Sequence, residues 1–175
     1  MAAPWSSSTR LRAALGRFAT GVAVVTTVDG ADHPVGLTVN SFTSLSLDPP
    51  LVLWCLRRTS AGLPAFTTAS RFAVNVLSAG QRPIAQRFAS RVEDRFAEVR
   101  WHRHPLGPPL LADTAASFVC QRTQVAHGGD HVIVIGRIED HTISAEPALI
   151  FVDGDYVALD RAAATGEPGL PKALS

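Results

Sequence analysis

The sequence predicts a mainly β fold, an antiparallel barrel with helices inserted between strands, and three observations carry that expectation. Runs rich in β-branched and aromatic residues recur along the chain. Turn signals separate neighbouring runs at hairpin distance. The helical segments fall between strands without the strict alternation that a doubly wound parallel sheet requires.

The elements follow in order. Thr9 is placed to cap a helix over about 10–19, where Leu11, Leu15 and Phe18 recur at helical spacing. Gly21 to Val28 is a β-branched run ending at the turn dipeptide Asp29-Gly30, and His33 to Phe42 reads as its returning strand, kept slim by Gly36. Asp48-Pro49-Pro50 is a turn that cannot pair centrally, so Leu51 to Leu56 begins a new strand. Ser60 reads as the cap of a short helix to about Thr68, with Pro64 limiting its length. Phe72 to Leu77 is a strand, and Ser78 caps a helix running to about Phe88. Between Arg91 and Asp113 the pattern is mixed, with a Pro/Gly loop at 105–109. Ser117 to Val125 alternates as a strand does. His127 to Asp130 turns into the apolar strand His131 to Ile138, and Ala148 to Leu159 reads as a final hairpin bent at Asp153-Gly154. The expected organisation is a flexible start over 1–8, one domain over 9–160 and a flexible tail over 161–175.

Composition narrows the function classes. The 175 residues carry 16 basic and 15 acidic side chains, a net charge of +1 that gives no footprint for nucleic acid. Lys172 is the single lysine, so positive charge is almost wholly arginine, a planar fork suited to phosphate or carboxylate. Cys55 and Cys120 are too few for a disulfide framework and lack zinc spacing, which favours a reducing, cytoplasmic setting. Arg17 and Thr20-Gly21 interrupt the apolar N-terminal stretch, and nothing approaches the ~20 apolar residues that span a bilayer. The expectation is a soluble, unprocessed chain without membrane or metal. His102 and His104 sit in a polar loop with no convincingly spaced third ligand. Dinucleotide, Walker, zincin and nucleophile-elbow motifs are absent.

Three polar clusters stand out. In Thr38 to Ser46, Thr38 and Asn40 share one face of a strand, and hydroxyls, an amide and backbone N–H groups suit a ribityl chain, a pyrimidine edge or a phosphate. A Ser/Thr-rich turn that satisfies its own backbone is the alternative. In Cys55 to Ala61, a strand end, two arginines and Thr-Ser before a helix suit an anion, or simply cap that helix among solvated arginines. In Gly128-Gly129-Asp130-His131, the glycines permit a tight turn and His131 heads an apolar strand, placed to contact a substrate or to serve structure.

In this order, the segments FATGVAVVTT, GLTVNSFTSLSLDPPLVLWCL, FAVNVL, QRFAS, GGDHVIVIGRI and FVDGDY make the chain resemble the short-chain flavin reductase family over about Leu11 to Leu159. The resemblance implies an FMN-binding split β-barrel. It also implies an NAD(P)H-dependent reductase that supplies reduced flavin to a two-component monooxygenase. By position, Gly36, Thr38, Asn40 and Ser41 fall around the flavin ring and ribityl chain, with Ser46 ending the same segment. Cys55, Arg57, Arg58, Thr59 and Ser60 fall at the turn that holds the phosphate or pyrophosphate, with Arg58 where some relatives carry lysine. Arg87, Phe88 and Ala89 match a further flavin-contacting stretch. His131 matches the histidine beside the nicotinamide, making it the candidate catalytic or positioning residue, and Tyr156 matches an aromatic near the mouth. The implied cofactors are FMN or FAD with NADH or NADPH, and hydride passes between them. The implied assembly is a homodimer with flavin near the subunit boundary. A flavoprotein holding FMN tightly for an organic substrate, and a non-enzymatic flavin carrier, remain the alternatives.

Overall fold

The computed structural model describes residues 8–157. Of the flexible start expected over 1–8, residues 1–7 lie outside them, as do the tail expected over 161–175 and the final residues of the last hairpin, whereas Ser8 begins the first helix. Helix α1 (Ser8–Gly16) opens the described chain, followed by β1 (Thr20–Gly21) and β2 (Ala23–Val28). The single strand expected over 21–28 is thus two. The chain changes sheets at Val22, whose N–H donates to Leu149 and whose carbonyl accepts from Leu77. Helix α1 ends earlier than the periodicity implies, and Leu11, Leu15 and Phe18 are all exposed rather than packed on the domain.

β2 and β3 (Pro34–Val39) form the expected hairpin, but Gly30 is not its strained residue. Asp29 Oδ1 accepts the N–H groups of Ala31 and His33, and Asp32 takes the left-handed conformation (φ 65°). The polar run after β3 is an edge strand, β4 (Thr43–Leu47), joined through Asp48-Pro49 to β5 (Pro50–Arg57). Helix α2 (Leu63–Thr68) starts two residues later than expected, and Gly62 stands at its cap instead of Ser60. The Ser60 hydroxyl instead accepts from Gly62 N–H inside the preceding turn. After β6 (Arg71–Val76), Ser78 and Gln81 form a reciprocal capping box over a short 3₁₀ turn that leads into α3 (Arg82–Ala89). The Pro/Gly loop is the tip of an unexpected hairpin, β7 (Trp101–Arg103) with β8 (Pro109–Leu111). Strands β9 (Ala116–Gly128) and β10 (His131–Ile143) are longer than predicted and bulged in two places. β11 (Ile150–Val152) and β12 (Asp155–Val157) close the described chain.

Seven strands make one antiparallel sheet in the order β3-β2-β6-β9-β10-β5-β4. It rolls up because inward residues of non-adjacent strands meet. Ala23, Val25, Val39, Trp54, Phe72, Cys120 and Val134 belong to one buried cluster, and Phe66 of α2 closes onto Trp54 edge to face, 5.0 Å between centroids. The outward residues Val24 and Leu77 join Ala85 and Phe88 of α3 in a second buried cluster. Edge strands β3 and β4 are consecutive in the chain, so the bend at Asn40–Phe42 joins the two ends of the sheet and leaves a split between β3 and β5.

Cys120 lies inside the barrel, and burial, reinforced by the Glu139 charge, pushes its thiol up to about 12. The native protein is therefore expected to leave Cys120 unalkylated at neutral pH, with reaction only after unfolding. Mass spectrometry of alkylated protein with and without denaturant reads this directly, and rapid native labelling of Cys120 would contradict it.

Candidate functional site

The split has a chemical character that follows from strand geometry. Asp29 N–H bonds to His33 C=O at the base of the β2–β3 hairpin, so alternation makes 27/35, 25/37 and 23/39 the hydrogen-bonded pairs. Gly36 and Thr38 consequently turn their N–H and C=O groups off the open edge. Gly36 C=O does so visibly, accepting from the Arg95 guanidinium at 2.9 Å. On β5, Cys55 N–H donates to Ser41 Oγ at 2.9 Å, and Ser41 Oγ donates back to Cys55 C=O at 3.2 Å. Arg58 N–H bonds to Asp130 C=O, so Arg57, in step with Cys55, turns its N–H away from β10 toward the split. Two strand edges thus face one another with backbone groups that the sheet itself does not use.

Between them lies a cleft of ≈ 250 Å³ lined by Thr38, Asn40, Ser41, Cys55, Arg57, Ser60 and His131, among others. It adjoins two more. A cleft of ≈ 190 Å³ shares Thr38, Val39 and Asn40 with it and reaches Phe151 and Tyr156. A wider cleft of ≈ 840 Å³ shares Arg57 and Ser60 and contains Gly36, Thr59 and Ala89. The first sequence cluster, the second and His131 therefore converge, because Ser41, just past β3, is stitched to Cys55 and the C-terminal end of β5 lies beside the start of β10 at one rim of the barrel.

His131 pairs with Arg57 in register at that rim. Its Nδ1 is 2.7 Å from Asp130 Oδ1, and this hydrogen bond is the main reason the Asp130 carboxyl lies below its usual range. An ionised carboxylate can only accept, so the ring carries its proton on Nδ1 and keeps a lone pair on Nε2 when neutral. Arg57 adds a second favourable charge near Asp130. Thr38 Oγ1 donates to Ala85 C=O at 2.7 Å, which ties β3 to α3 and leaves its oxygen as an acceptor. Tyr156 stacks edgewise on Phe151, with the Arg82 guanidinium 5.3 Å from its ring centroid.

Four of the sequence candidates lie elsewhere. Ser46 pairs with Leu51, at the opposite end of β5 from Arg57. The Arg58 side chain is exposed and lines none of the three clefts. Phe88 is buried in the second core cluster, packed edge to face on Phe96. Arg87 donates to the carbonyls of Arg95 and Asp94 and so braces the loop after α3. Gly36 has a packing reason of its own, since a Cβ there would lie 2.6 Å from the Phe88 ring. The anion-binding helix terminus expected after Arg58 is not formed either, because the hydroxyls of Thr59 and Ser60 precede a six-residue helix across a turn. Sequence reasoning overlooked Asp130 as a partner of His131, although the two are adjacent. It also overlooked Arg95, which works entirely through backbone carbonyls and carries no motif. Among the described residues no group of three or more His, Cys, Asp or Glu side chains could hold a metal ion, and no helix is long and apolar enough to cross a membrane.

The donor set fits a flat heterocycle with a polar edge and a phosphate tail: backbone groups along two strand edges, hydroxyls beyond them, and a guanidinium at the outlet. Comparison with known proteins agrees. The model of the flavin reductase like domain matches residues 15–160. A probable flavin reductase of Rhizobium meliloti (strain 1021) is 49% identical over 146 residues, 83% of this chain and 47% of that protein. The chain thus spans about half the length of that curated relative. The reductase subunit HsaB of a flavin-dependent monooxygenase from Rhodococcus jostii (strain RHA1) is 41% identical over 152 residues, 86% of this chain and 77% of that protein. Among solved structures, the Streptomyces globisporus C-1027 NADH:FAD oxidoreductase SgcE6, in complex with NAD and FAD fragments, superposes with a TM-score of 0.87. It is 36% identical and is covered over 93% of this chain and 99% of its own. A split antiparallel barrel with polar strand edges at its rim, matched by one family model from α1 to beyond β12, places the chain in the flavin reductase like domain family.

Proposed function

We propose that the chain is an NAD(P)H:flavin oxidoreductase that reduces FMN or FAD and passes the reduced flavin to a flavin-dependent monooxygenase. The observation that carries this reading is the split between β3 and β5, where Thr38 and Arg57 present backbone groups to the cleft that His131 also lines. The names of the relatives above, a monooxygenase reductase subunit and an NADH:FAD oxidoreductase, support it.

Hydride transfer from nicotinamide to flavin is the chemistry that the two bound groups supply. The chain binds and orients. Thr38 N–H and C=O, Arg57 N–H and the Asn40 amide hold the polar edge of the ring, and the Arg57 guanidinium with the Ser60 hydroxyl takes the phosphate. Asp130 keeps the His131 proton on Nδ1, so Nε2 accepts from the nicotinamide carboxamide. Every contact in this set is non-covalent, which suits release of the flavin after reduction.

Oxidation of NADH and NADPH, followed by loss of nicotinamide absorbance with added FMN or FAD, tests the reading. Absence of flavin-dependent turnover would reject it, and flavin retained through gel filtration would reject release. His131→Ala is expected to raise the apparent KM for the nicotinamide about tenfold, the worth of one buried hydrogen bond, with flavin affinity little changed. Stopped-flow reduction with unaltered nicotinamide dependence would remove His131 from that role.

The homodimer belongs to the same proposal. Leu11, Leu15 and Phe18 at the N-terminal helix and Leu45 and Leu47 on β4 are exposed apolar side chains, Phe18 at 78% and Leu47 at 83%. A second copy covering them would remove an apolar surface unusual for a monomer. Light scattering at micromolar concentration is expected to give the dimer mass, and a monomer would overturn it.

A further inference from the structure

We propose that Ser41 is a positioning residue for the flavin ring: its hydroxyl closes the inner end of the split and fixes how far apart the two strand edges stand. The inference rests on the flavin-reducing reading above, and it gives Ser41 a role through Cys55 instead of through the ligand.

Register is the first argument. β4 pairs with β5 at Thr43–Leu53, and two residues further the same antiparallel register sets Ser41 opposite Cys55. The backbone has left β4 by then, so the side chain stands in for it. Ser41 Oγ accepts from Cys55 N–H at 2.9 Å and donates to Cys55 C=O at 3.2 Å, the two bonds that a paired strand residue would make. Two residues on, the position in register with Arg57 is Val39, which belongs to β3 and pairs with Ala23 of β2 instead. The split therefore begins between Cys55 and Arg57.

Spacing is the second argument. A backbone pair at Ser41 would draw the strands to the ~4.8 Å of a sheet and zip the split shut. A hydroxyl that reaches out from its own backbone bridges a wider gap. Neither side of the bridge is loose. Phe42, the next residue, packs on the barrel cluster with its ring 5.7 Å from that of Phe118. On the β3 side, Thr38 is tied to Ala85 C=O. Among the described residues no hydrogen bond joins β3 itself to β5, so the Ser41 bridge sets their separation at the cleft that it lines.

Hydrogen-bond capacity is the third. A serine hydroxyl has one proton and two lone pairs. Cys55 takes the proton and one lone pair, so Ser41 has no hydrogen left to offer a flavin carbonyl or a phosphate. The same bonds occupy Cys55 N–H, which leaves Thr38 and Arg57 as the edge groups that meet the ring.

Ser41→Ala and Ser41→Thr in the full chain test this with three probes: lumiflavin, the ring without a ribityl chain; riboflavin, which carries that chain; and FMN, which adds the phosphate. Ser41→Ala is expected to weaken all three by a common factor of about ten, and Ser41→Thr to restore them. Amide exchange of the flavin-free protein is the second readout. The parent is expected to protect Cys55 N–H, and Ser41→Ala to expose it while Val74 on β6 and Val134 on β10 stay protected. Ser41→Thr is expected to protect it again. Lumiflavin bound as well as before, with riboflavin weakened, would overturn the inference in favour of direct contact with the ribityl chain. A Cys55 amide equally protected in all three proteins, or a rise in exchange across the whole sheet, would overturn it too. Failure of the flavin-reducing reading would appear separately, as a parent protein whose Cys55 amide answers to Ser41 but which binds none of the three flavins.

Discussion

Asn75→Leu is expected to lower stability by about 2–4 kcal/mol, because it removes the buried amide that fastens the β7–β8 hairpin to the barrel. Asn75 is fully buried on the outer face of β6. Its Nδ2 donates to Val24 C=O at 3.0 Å and to Thr26 Oγ1 at 3.1 Å, and its Oδ1 accepts from Leu111 N–H at 2.9 Å. Thr26 Oγ1 completes the network by donating to Pro109 C=O. Leucine keeps the volume but strands the buried Leu111 N–H, which pays the full desolvation penalty, and leaves Val24 C=O and Thr26 Oγ1 without the amide donor. Thr26→Val, which breaks only one branch, is expected to cost less. Urea denaturation with an unchanged slope reads both values. An Asn75→Leu midpoint within error of the parent would show that the hairpin is held by packing alone.

Gly36→Ala is the second large effect, about 1–3 kcal/mol from overpacking. The added methyl would stand 2.6 Å and 2.9 Å from two carbons of the Phe88 ring and 3.1 Å from Phe96. Phe88 cannot yield cheaply, being 1% exposed and held edge to face by Phe96. The strain reaches the cleft, because α3 carries the Ala85 carbonyl that holds Thr38 and the Gly36 carbonyl anchors Arg95. Activity with either flavin is therefore expected to fall along with stability. Adding Phe88→Leu to Gly36→Ala is expected to cost less than the sum of the two single changes, a favourable coupling of about 1 kcal/mol. Strict additivity would show that the two residues do not meet as described.

The strand core was the most legible part of the molecule. β5, β6 and the start of β10 follow from unbroken apolar or alternating runs, and the hairpins at 29–33 and 153–154 from their turn residues. Elements whose stability is borrowed were less legible. β4 is a Ser-rich edge paired on one side, and β7 and β8 are three residues each with a proline in the second. No local propensity marks such strands; Asn75, Thr26 and Leu53 hold them from elsewhere in the chain. The apolar stripe of α1 was visible as periodicity, but its exposure was not, since periodicity shows that a face is apolar without showing what covers it.

The same division runs through the candidate site. Thr38, Arg57 and His131 could be picked out as polar residues at strand ends. That Ser41 stitches Cys55, that Arg87 braces a loop and that Phe88 fills a core could not. By itself the sequence determined a mainly β domain, its hairpin order, and which polar clusters interrupt its apolar runs, because strand periodicity and turn chemistry are written in consecutive residues. Tertiary structure alone decided that the two edges of the sheet meet at one bend and leave a polar split there. Contacts such as Gly36 on Phe88 and Asn75 on Leu111 join residues far apart in the chain, and only burial and close packing choose among them.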